Sequence, residues 1–321
     1  MVKLLRLIQN ENMKTFNRIG TYIMIALLLL ASLGYTIANK QLHADSAFGE
    51  IPQNPQWKEE LQSQNNEYAK VIADPNQNYR YKQNLENRIA TNEYRLAHNL
   101  PISVDMWSYL DESRNIIVLV TLFAIFAVST SVAGEFSWGT IKLLLLRPIK
   151  RRKILLAKYL SSLYYALTLL TLLFVSSLIF GGIFFGWSSP SIALTIVEGE
   201  VIEKSMFLKA LTNYGYSIVE MVMMVSFAFM ISTLFRSSSM ATGVSIALYL
   251  SSSTITGILL GMNIEWVKYS FLTNLRLDMY ATHSPFFEDM TLPFSVTILS
   301  IHLLLFLLVS WTVFQRRDVT N

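Results

Sequence analysis

Cysteine is absent from the 321 residues. That excludes a disulfide framework, a thiolate metal site and a thiol nucleophile, and it leaves any segment outside a membrane to be held by packing alone. Histidine is scarce: His43, His98 and His283 fall in polar segments, and only His302 lies in an apolar run. Enzyme signatures are missing as well. The chain has no His-Glu-x-x-His helix, no Gly-x-Ser-x-Gly elbow and no pair of carboxylates within one apolar segment, so a membrane-embedded enzyme would lack convergent catalytic groups. Charged residues make up only 15% of the chain. The formal net charge of +4 could invite nucleic acid, but the charges are segregated along the chain, which membrane sidedness explains better.

What is present is apolar sequence in long runs, with 52% hydrophobic residues and a mean hydropathy of +0.39. About 20 apolar residues cross a hydrocarbon layer about 30 Å thick as a helix. Ile19 to Ala38, Ile116 to Gly134, Lys158 to Trp187, Ala210 to Phe235, Met240 to Met262 and Leu292 to Phe314 meet that length. The first is longer than a signal-peptide core and reads as a retained span; the third is long enough to tilt or to project. The predicted fold class is an all-α polytopic membrane protein of six transmembrane helices.

Basic residues orient those spans. The loop from Glu135 to Tyr159 carries Lys142, Arg147, Lys150, Arg151, Arg152, Lys153 and Lys158 against the single acid Glu135, and short loops rich in Lys and Arg stay in the cytoplasm. On the resulting inner side fourteen basic residues face three acids, and on the outer side twelve face eighteen. Both termini are therefore expected in the cytoplasm. The predicted division is 1–38, an interfacial helix with the first span; 39–112, an extracellular domain; and 113–321, five further spans with a cytoplasmic loop at 135–157 and outer loops at 188–209 and 263–291.

Local patterns fill in the remainder. Leu4, Leu5 and Ile8 share one helical face while Lys3, Arg6 and Lys14 point elsewhere, the pattern of an interfacial helix. In 39–112, Trp57, Leu61, Gln64, Tyr68 and Val71 recur at helical spacing, Asp74-Pro75-Asn76 turns the chain, and Tyr81, Leu85, Ile89 and Leu96 continue on the other side. This predicts a helical hairpin closed by Asn99-Leu100-Pro101. Ala193 to Ile202 predicts a short β-hairpin around Glu198-Gly199. The segment 263–291, with Trp266, Lys268, Arg276, Asp278 and Phe286, is expected to rest at the outer interface.

The basic loop also carries a motif. After Glu135 come Gly139 and Thr140; Ile141, Leu144 and Leu145 then form one apolar face, and Pro148 limits the helix to about two turns. At these residues the chain resembles the permease subunits of type-2 ATP-binding-cassette exporters. Their linker between the second and third spans reads approximately acid, three residues, Gly-Thr, a leucine-rich turn, Pro, two residues, Arg, then Lys seven further on. Here those positions are Glu135, Gly139, Thr140, Leu143 to Leu146, Pro148, Arg151 and Lys158. The stretch Asn92 to Pro101 resembles the outer domains of such permeases from Gram-positive bacteria. The resemblance implies that Glu135, Gly139, Thr140, Ile141, Lys142, Leu144, Leu145, Pro148, Arg151 and Lys158 form a coupling element docked on a separate ATP-binding-cassette ATPase. No Gly-x-x-x-x-Gly-Lys-Ser/Thr loop occurs in the chain, so ATP and magnesium would be bound by that partner, and this chain is expected to hold no cofactor, catalytic residue or metal of its own. The resemblance further implies a second permease chain, identical or related, and a bacterial cell membrane. A lipid-anchoring basic loop would account for the cations but not for Glu135, Gly139 and Thr140.

Within the spans, Glu220 is an isolated carboxylate near mid-depth with no cationic mate evident, a candidate for a translocation path or dimer interface. Met224 and Ser252 are candidates beside it. Met221, Met223, Met224 and Met230 suit a pliable cargo surface or plain packing. Ser251 to Thr254, Thr256 and Gly257 suit close helix packing, and His302 suits packing better than proton relay. The expected function is a permease exporting a hydrophobic or amphiphilic substrate, such as a peptide antibiotic or a lipid-like or drug-like molecule. A membrane sensor or immunity scaffold using an ATPase is the alternative; a membrane-embedded enzyme is a third.

Overall fold

The computed structural model describes residues 2–45, 56–74, 79–101, 105–140, 149–197, 199–235, 237–262, 264–281, 285–287 and 289–316. Helix α1 (Val2–Phe16) ends in a break at Asn17 and Arg18, and α2 (Ile19–Asp45) follows, running past its expected end at Ala38. A pair of helices, α3 (Trp57–Ile72) and α4 (Tyr79–His98), packs together as a hairpin, with Asn92 Nδ2 donating to Asn65 Oδ1 at 2.8 Å. Asn99 closes α4 in the left-handed region, at φ 58°, where the short polar side chain of Asn is tolerated.

The segment after Pro101 departs from expectation. Helix α5 (Met106–Ser113), assigned above to the extracellular domain, is part of the bundle. Asp105 caps it by accepting from Ser108 N at 2.9 Å, and Met106, Tyr109 and Leu110 are buried. Tyr109 stacks on Phe185 with ring centroids 5.1 Å apart, and its hydroxyl bonds Thr36 Oγ1 at 2.5 Å. Gly181 makes room for this ring: a Cβ there would lie 2.9 Å from Tyr109 Cδ1. A 3₁₀ turn, Arg114–Ile116, joins α5 to α6 (Ile117–Ser137).

Helix α7 (Arg151–Phe185) spans 35 residues, roughly 50 Å at 1.5 Å per residue, longer than a hydrocarbon core. It starts before the expected Lys158 and stops at Gly186, whose φ is 84°. Strands β1 (Ile192–Val197) and β2 (Glu200–Ser205) form the expected antiparallel hairpin, pairing Ile192 with Ser205 and Val197 with Glu200. Gly199, at φ 86°, supplies a turn residue. Next come α8 (Met206–Leu234), α9 (Ser238–Gly261), the short α10 (Phe271–Asn274) and α11 (Asp278–Ala281), and α12 (Leu292–Arg316).

Among the described residues, six helical segments are long and apolar enough to cross a membrane: those of α2, α5 with α6, α7, α8, α9 and α12. More than half of the α5–α6 and α8 windows is buried, against less than a quarter of α2, α9 and α12. The first two form the centre and the last three the periphery, where Leu30, Leu250 and Leu308 point outward. Polar side chains stitch the centre. Ser232 Oγ donates to Ser129 O at 2.8 Å and accepts from Ala133 N at 3.0 Å, and the Tyr159 hydroxyl meets Ser226 Oγ at 2.8 Å.

Other expectations need correction. The loop 263–291 does not simply rest on a surface: Val267, Leu275, Leu277 and Met279 are buried, while Trp266 and Tyr269 remain exposed. The expected small-residue surface of α9 packs only in part: Thr256 is buried and Ser251 and Ser252 are half-buried, but Ser253, Thr254 and Gly257 are exposed, and the remaining buried positions are Ala241, Ser245 and Tyr249. Met221, Met223, Met224 and Met230 of α8 are all buried, which is packing.

Candidate functional site

The Glu135 motif is built as a helix ending. The last turn of α6 places Glu135 just before Trp138, and Gly139, at φ 68°, reverses the chain while its N–H donates to Phe136 O at 3.1 Å. A glycine suits that left-handed position because it has no Cβ to clash. The reversal brings Thr140 back, and its hydroxyl donates to the Glu135 carboxylate. The spacing of acid, three residues, Gly-Thr is therefore the geometry of one capped helix end.

Three further charged groups converge on Glu135. Lys158, from α7, has a side chain only 1% exposed; its ammonium donates to Glu11 Oε2 at 2.7 Å, Ser131 O at 2.8 Å and Glu135 Oε1 at 3.2 Å. Lys14 reaches Glu11 Oε1 at 3.0 Å and Glu135 Oε1 at 3.2 Å. Two carboxylates and two ammonium groups thus balance in one knot joining α1, α6 and α7. Burial works against ionisation of Glu11, but Lys158 and Lys14 outweigh it and hold the carboxyl below its ordinary 4.5. Burial likewise opposes the charge on Lys14, and Glu11 and Glu135 more than compensate, raising it above 10.5. Lys158 is the member whose loss costs most, because it is the buried cation shared by both carboxylates, whereas Lys14 is 40% exposed and its loss leaves each carboxylate paired with Lys158.

Around it α1 lies against α7. Ser161 Oγ donates to Asn12 Oδ1 at 2.6 Å, and Phe16 meets Tyr165 edge-on at 5.5 Å. Leu5 and Met13 are exposed on the other side. Arg18 donates to Thr130 Oγ1 at 3.2 Å and lies over the Trp138 ring at 5.3 Å. Arg151 is elsewhere: its guanidinium donates to Gln315 O at 3.2 Å, at the last turn of α12, where a cation complements the helix dipole. Arg152 lies over Trp311 at 5.1 Å.

Of the expected coupling residues, Glu135, Thr140 and Lys158 meet in the knot, Gly139 shapes it and Arg151 joins α12. Ile141, Lys142, Leu144, Leu145 and Pro148 lie outside the described residues. Glu11 was one of the three acids counted on the inner side, and Lys14 an inner cation off the apolar face of the interfacial helix; neither was assigned to the site. A clue to them was that Lys158 opens an apolar run with no acid on its own helix.

The other candidates separate. Glu220 borders a cavity of about 180 Å³ at the opposite end of α6, shared with Arg114, Tyr249, Arg276 and Asp278. The cations missing from the sequence reading are thus Arg114 and Arg276. Met224 is fully buried away from that cavity, and Ser252 Oγ donates to Tyr249 O at 2.6 Å. His302 Nδ1 meets Ile298 O at 2.9 Å within its own helix and packs on Phe271 and Phe306.

Comparison with known proteins places the chain among membrane proteins. A family described as "Protein of unknown function (DUF2705)" matches residues 78–320. "Uncharacterized protein YhcI" of Bacillus subtilis (strain 168) is 38% identical over 324 residues, covering 99% of this chain and 100% of the relative. "Uncharacterized membrane protein YdbK" of the same organism is 31% identical over 212 residues, covering 66% of this chain and 82% of the relative.

Proposed function

We propose, from the geometry above and the resemblance at the Glu135 loop, that this chain, which belongs to the DUF2705 family, is the permease subunit of an ATP-binding-cassette exporter. The ATPase is a separate polypeptide that binds ATP and magnesium. In this reading the chain lies in a bacterial cell membrane with both termini and the Glu135 knot in the cytoplasm, α1 lies at the inner interface, and α3 with α4 projects outside. It pairs with a second permease and moves a hydrophobic or amphiphilic substrate outward.

The observation that carries the reading is the four-charge knot. Residues 141–148 connect the capped end of α6 to the start of α7, and both anchors are clamped: Glu135 and Thr140 on one side, Lys158 on the other, with α1 strapped across them. A displacement applied to the loop is passed to α1, α6 and α7 together, and Arg151 and Arg152 extend it to α12. That is the mechanics a coupling element requires, and the resemblance at Glu135, Gly139, Thr140, Arg151 and Lys158 names the partner that would drive it.

The test begins with the neighbouring reading frames, where an ATP-binding-cassette ATPase is expected, and continues with co-expression of the two chains. Co-purification is expected, with ATP hydrolysis raised in the complex. Reversing the charge at Arg151 together with Lys158, or Thr140→Pro, is expected to abolish that increase while membrane insertion persists. Unchanged recruitment and unchanged stimulation in both variants would overturn the coupling assignment. Ligand-stimulated hydrolysis without substrate movement in proteoliposomes would move the chain to the sensor class.

A further inference from the structure

Two chambers share one wall at the end of the bundle opposite the Glu135 knot. The inner one, about 180 Å³, is the charged cavity. Asp278 accepts from Arg276 Nε at 2.9 Å and Nη2 at 2.8 Å, and forms an ion pair with Arg114 at 3.3 Å. Glu220 borders the same cavity, and among the described residues no cation approaches it within ion-pair distance. The outer chamber, about 750 Å³ and open on one side, is bordered by α4, the β-hairpin and the segment before α12, with Ile196, Tyr280, Met290 and Leu292 among its walls and Gln83, Glu86 and Asn87 on α4. Tyr216 borders both.

The charges decide what the inner chamber can take. With Glu220 ionised, Arg114 and Arg276 against Asp278 and Glu220 sum to zero, and the carboxylate on α8, beside the Tyr249 hydroxyl, is held apart from a guanidinium pair that already shares Asp278. A purely cationic group drawn to Glu220 would also meet two guanidinium groups. A purely anionic one drawn to the arginines would also meet Glu220. A head carrying both charges matches both, and charge-assisted hydrogen bonds are the strong ones in an enclosed site. The outer chamber, with Ile196, Tyr216, Tyr280, Pro285, Met290 and Leu292 on its apolar side and Gln83, Glu86 and Asn87 along the α4 rim, has the volume of a site for a drug-sized molecule whose body is mainly apolar.

We propose that the two chambers form one binding site for an amphiphile with a zwitterionic head on an apolar body. The head lies between Glu220 and the Arg114–Arg276 pair, and the body passes Tyr216 into the chamber under α4. A short apolar peptide with free termini and a zwitterionic phospholipid share this chemistry. The inference stands apart from the ATPase reading, since it requires only the isolated chain.

The test is equilibrium binding of radiolabelled leucyl-leucine to the full chain in phosphatidylglycerol nanodiscs. Saturable binding is expected, weakened at least tenfold by blocking both termini of the dipeptide. It is expected to weaken at least tenfold in Glu220→Gln, which keeps side-chain shape, and in Ala90→Trp, which fills the outer chamber and leaves the four charged groups of the inner one in place. Repeating the measurement in phosphatidylethanolamine nanodiscs separates the sources: competition by that lipid assigns the site to a headgroup, and unchanged binding assigns it to a soluble ligand. No saturable binding in phosphatidylglycerol, equal binding of the blocked dipeptide, or binding that neither variant weakens would overturn the proposal.

Discussion

Lys158 is the residue on which most of the knot depends. It is buried, and it touches a carboxylate of α1 and both a carboxylate and a carbonyl of α6. Lys158→Met leaves Glu11 and Glu135 without their enclosed counter-charge, and a loss of about 3–5 kcal/mol is expected, as when one partner of a buried pair is removed. Thermal unfolding in detergent would measure it. Adding Glu135→Gln to Lys158→Met is expected to recover part of the loss, since neighbours in one network are not additive. Titration has a definite sign here. Glu11 is depressed below 4.5, so its contribution is complete above that value and is lost as pH falls through the lower folded value. Lys14 is raised above 10.5, so its contribution is complete below that value and is lost as pH rises through the higher one. Retention of α1 against α7 is therefore expected to be flat between these limits and to fall at both ends. A fluorophore pair on α1 and α7 would record this.

Among the elements, the two glycine-dependent junctions are the most exposed to substitution. Gly139 sits at φ 68°, so Gly139→Ala forces a side chain into the left-handed region at roughly 1–2 kcal/mol. Gly139→Asn is expected to cost less, because Asn visits that region more readily. Comparing the two variants by thermal shift separates backbone strain from loss of the Thr140 contact. Gly181 is limited by space rather than by φ. Gly181→Val drives a side chain into Tyr109 and is expected to unseat α5, which increased maleimide reactivity at Met106→Cys would report. These elements also mark how far local pattern reaches. The α3–α4 hairpin and the β-hairpin were legible, because Leu61 and Leu85 recur at helical spacing and Glu198-Gly199 is a turn dipeptide. Helix α5 was not, because Asp111 and Glu112 read as soluble sequence. In the fold Asn213 Nδ2 donates to Asp111 at 2.6 Å and Asn39 Nδ2 to Glu112 at 2.6 Å, which allows those acids to lie beside the bundle.

For the whole molecule, sidedness is the property most directly open to test. The chain has no cysteine, so one introduced thiol reports without background. Trp138 and Trp266 are both exposed and belong to opposite ends of the bundle. Trp266→Cys is expected to react with an impermeant maleimide in intact cells and Trp138→Cys only after lysis. Labelling of Trp138→Cys in intact cells would reverse the topology and with it the ATPase reading. Sequence alone determined the six long apolar helices and the concentration of cations around Glu135, because hydrophobic length and charge add along the chain without reference to contacts. Only the tertiary structure decided that Lys158 meets Glu11 across 147 positions and that Arg276 faces the cavity of Glu220. Pairing of buried charges depends on which helix faces lie together, and helix periodicity within each segment carries no record of its neighbours.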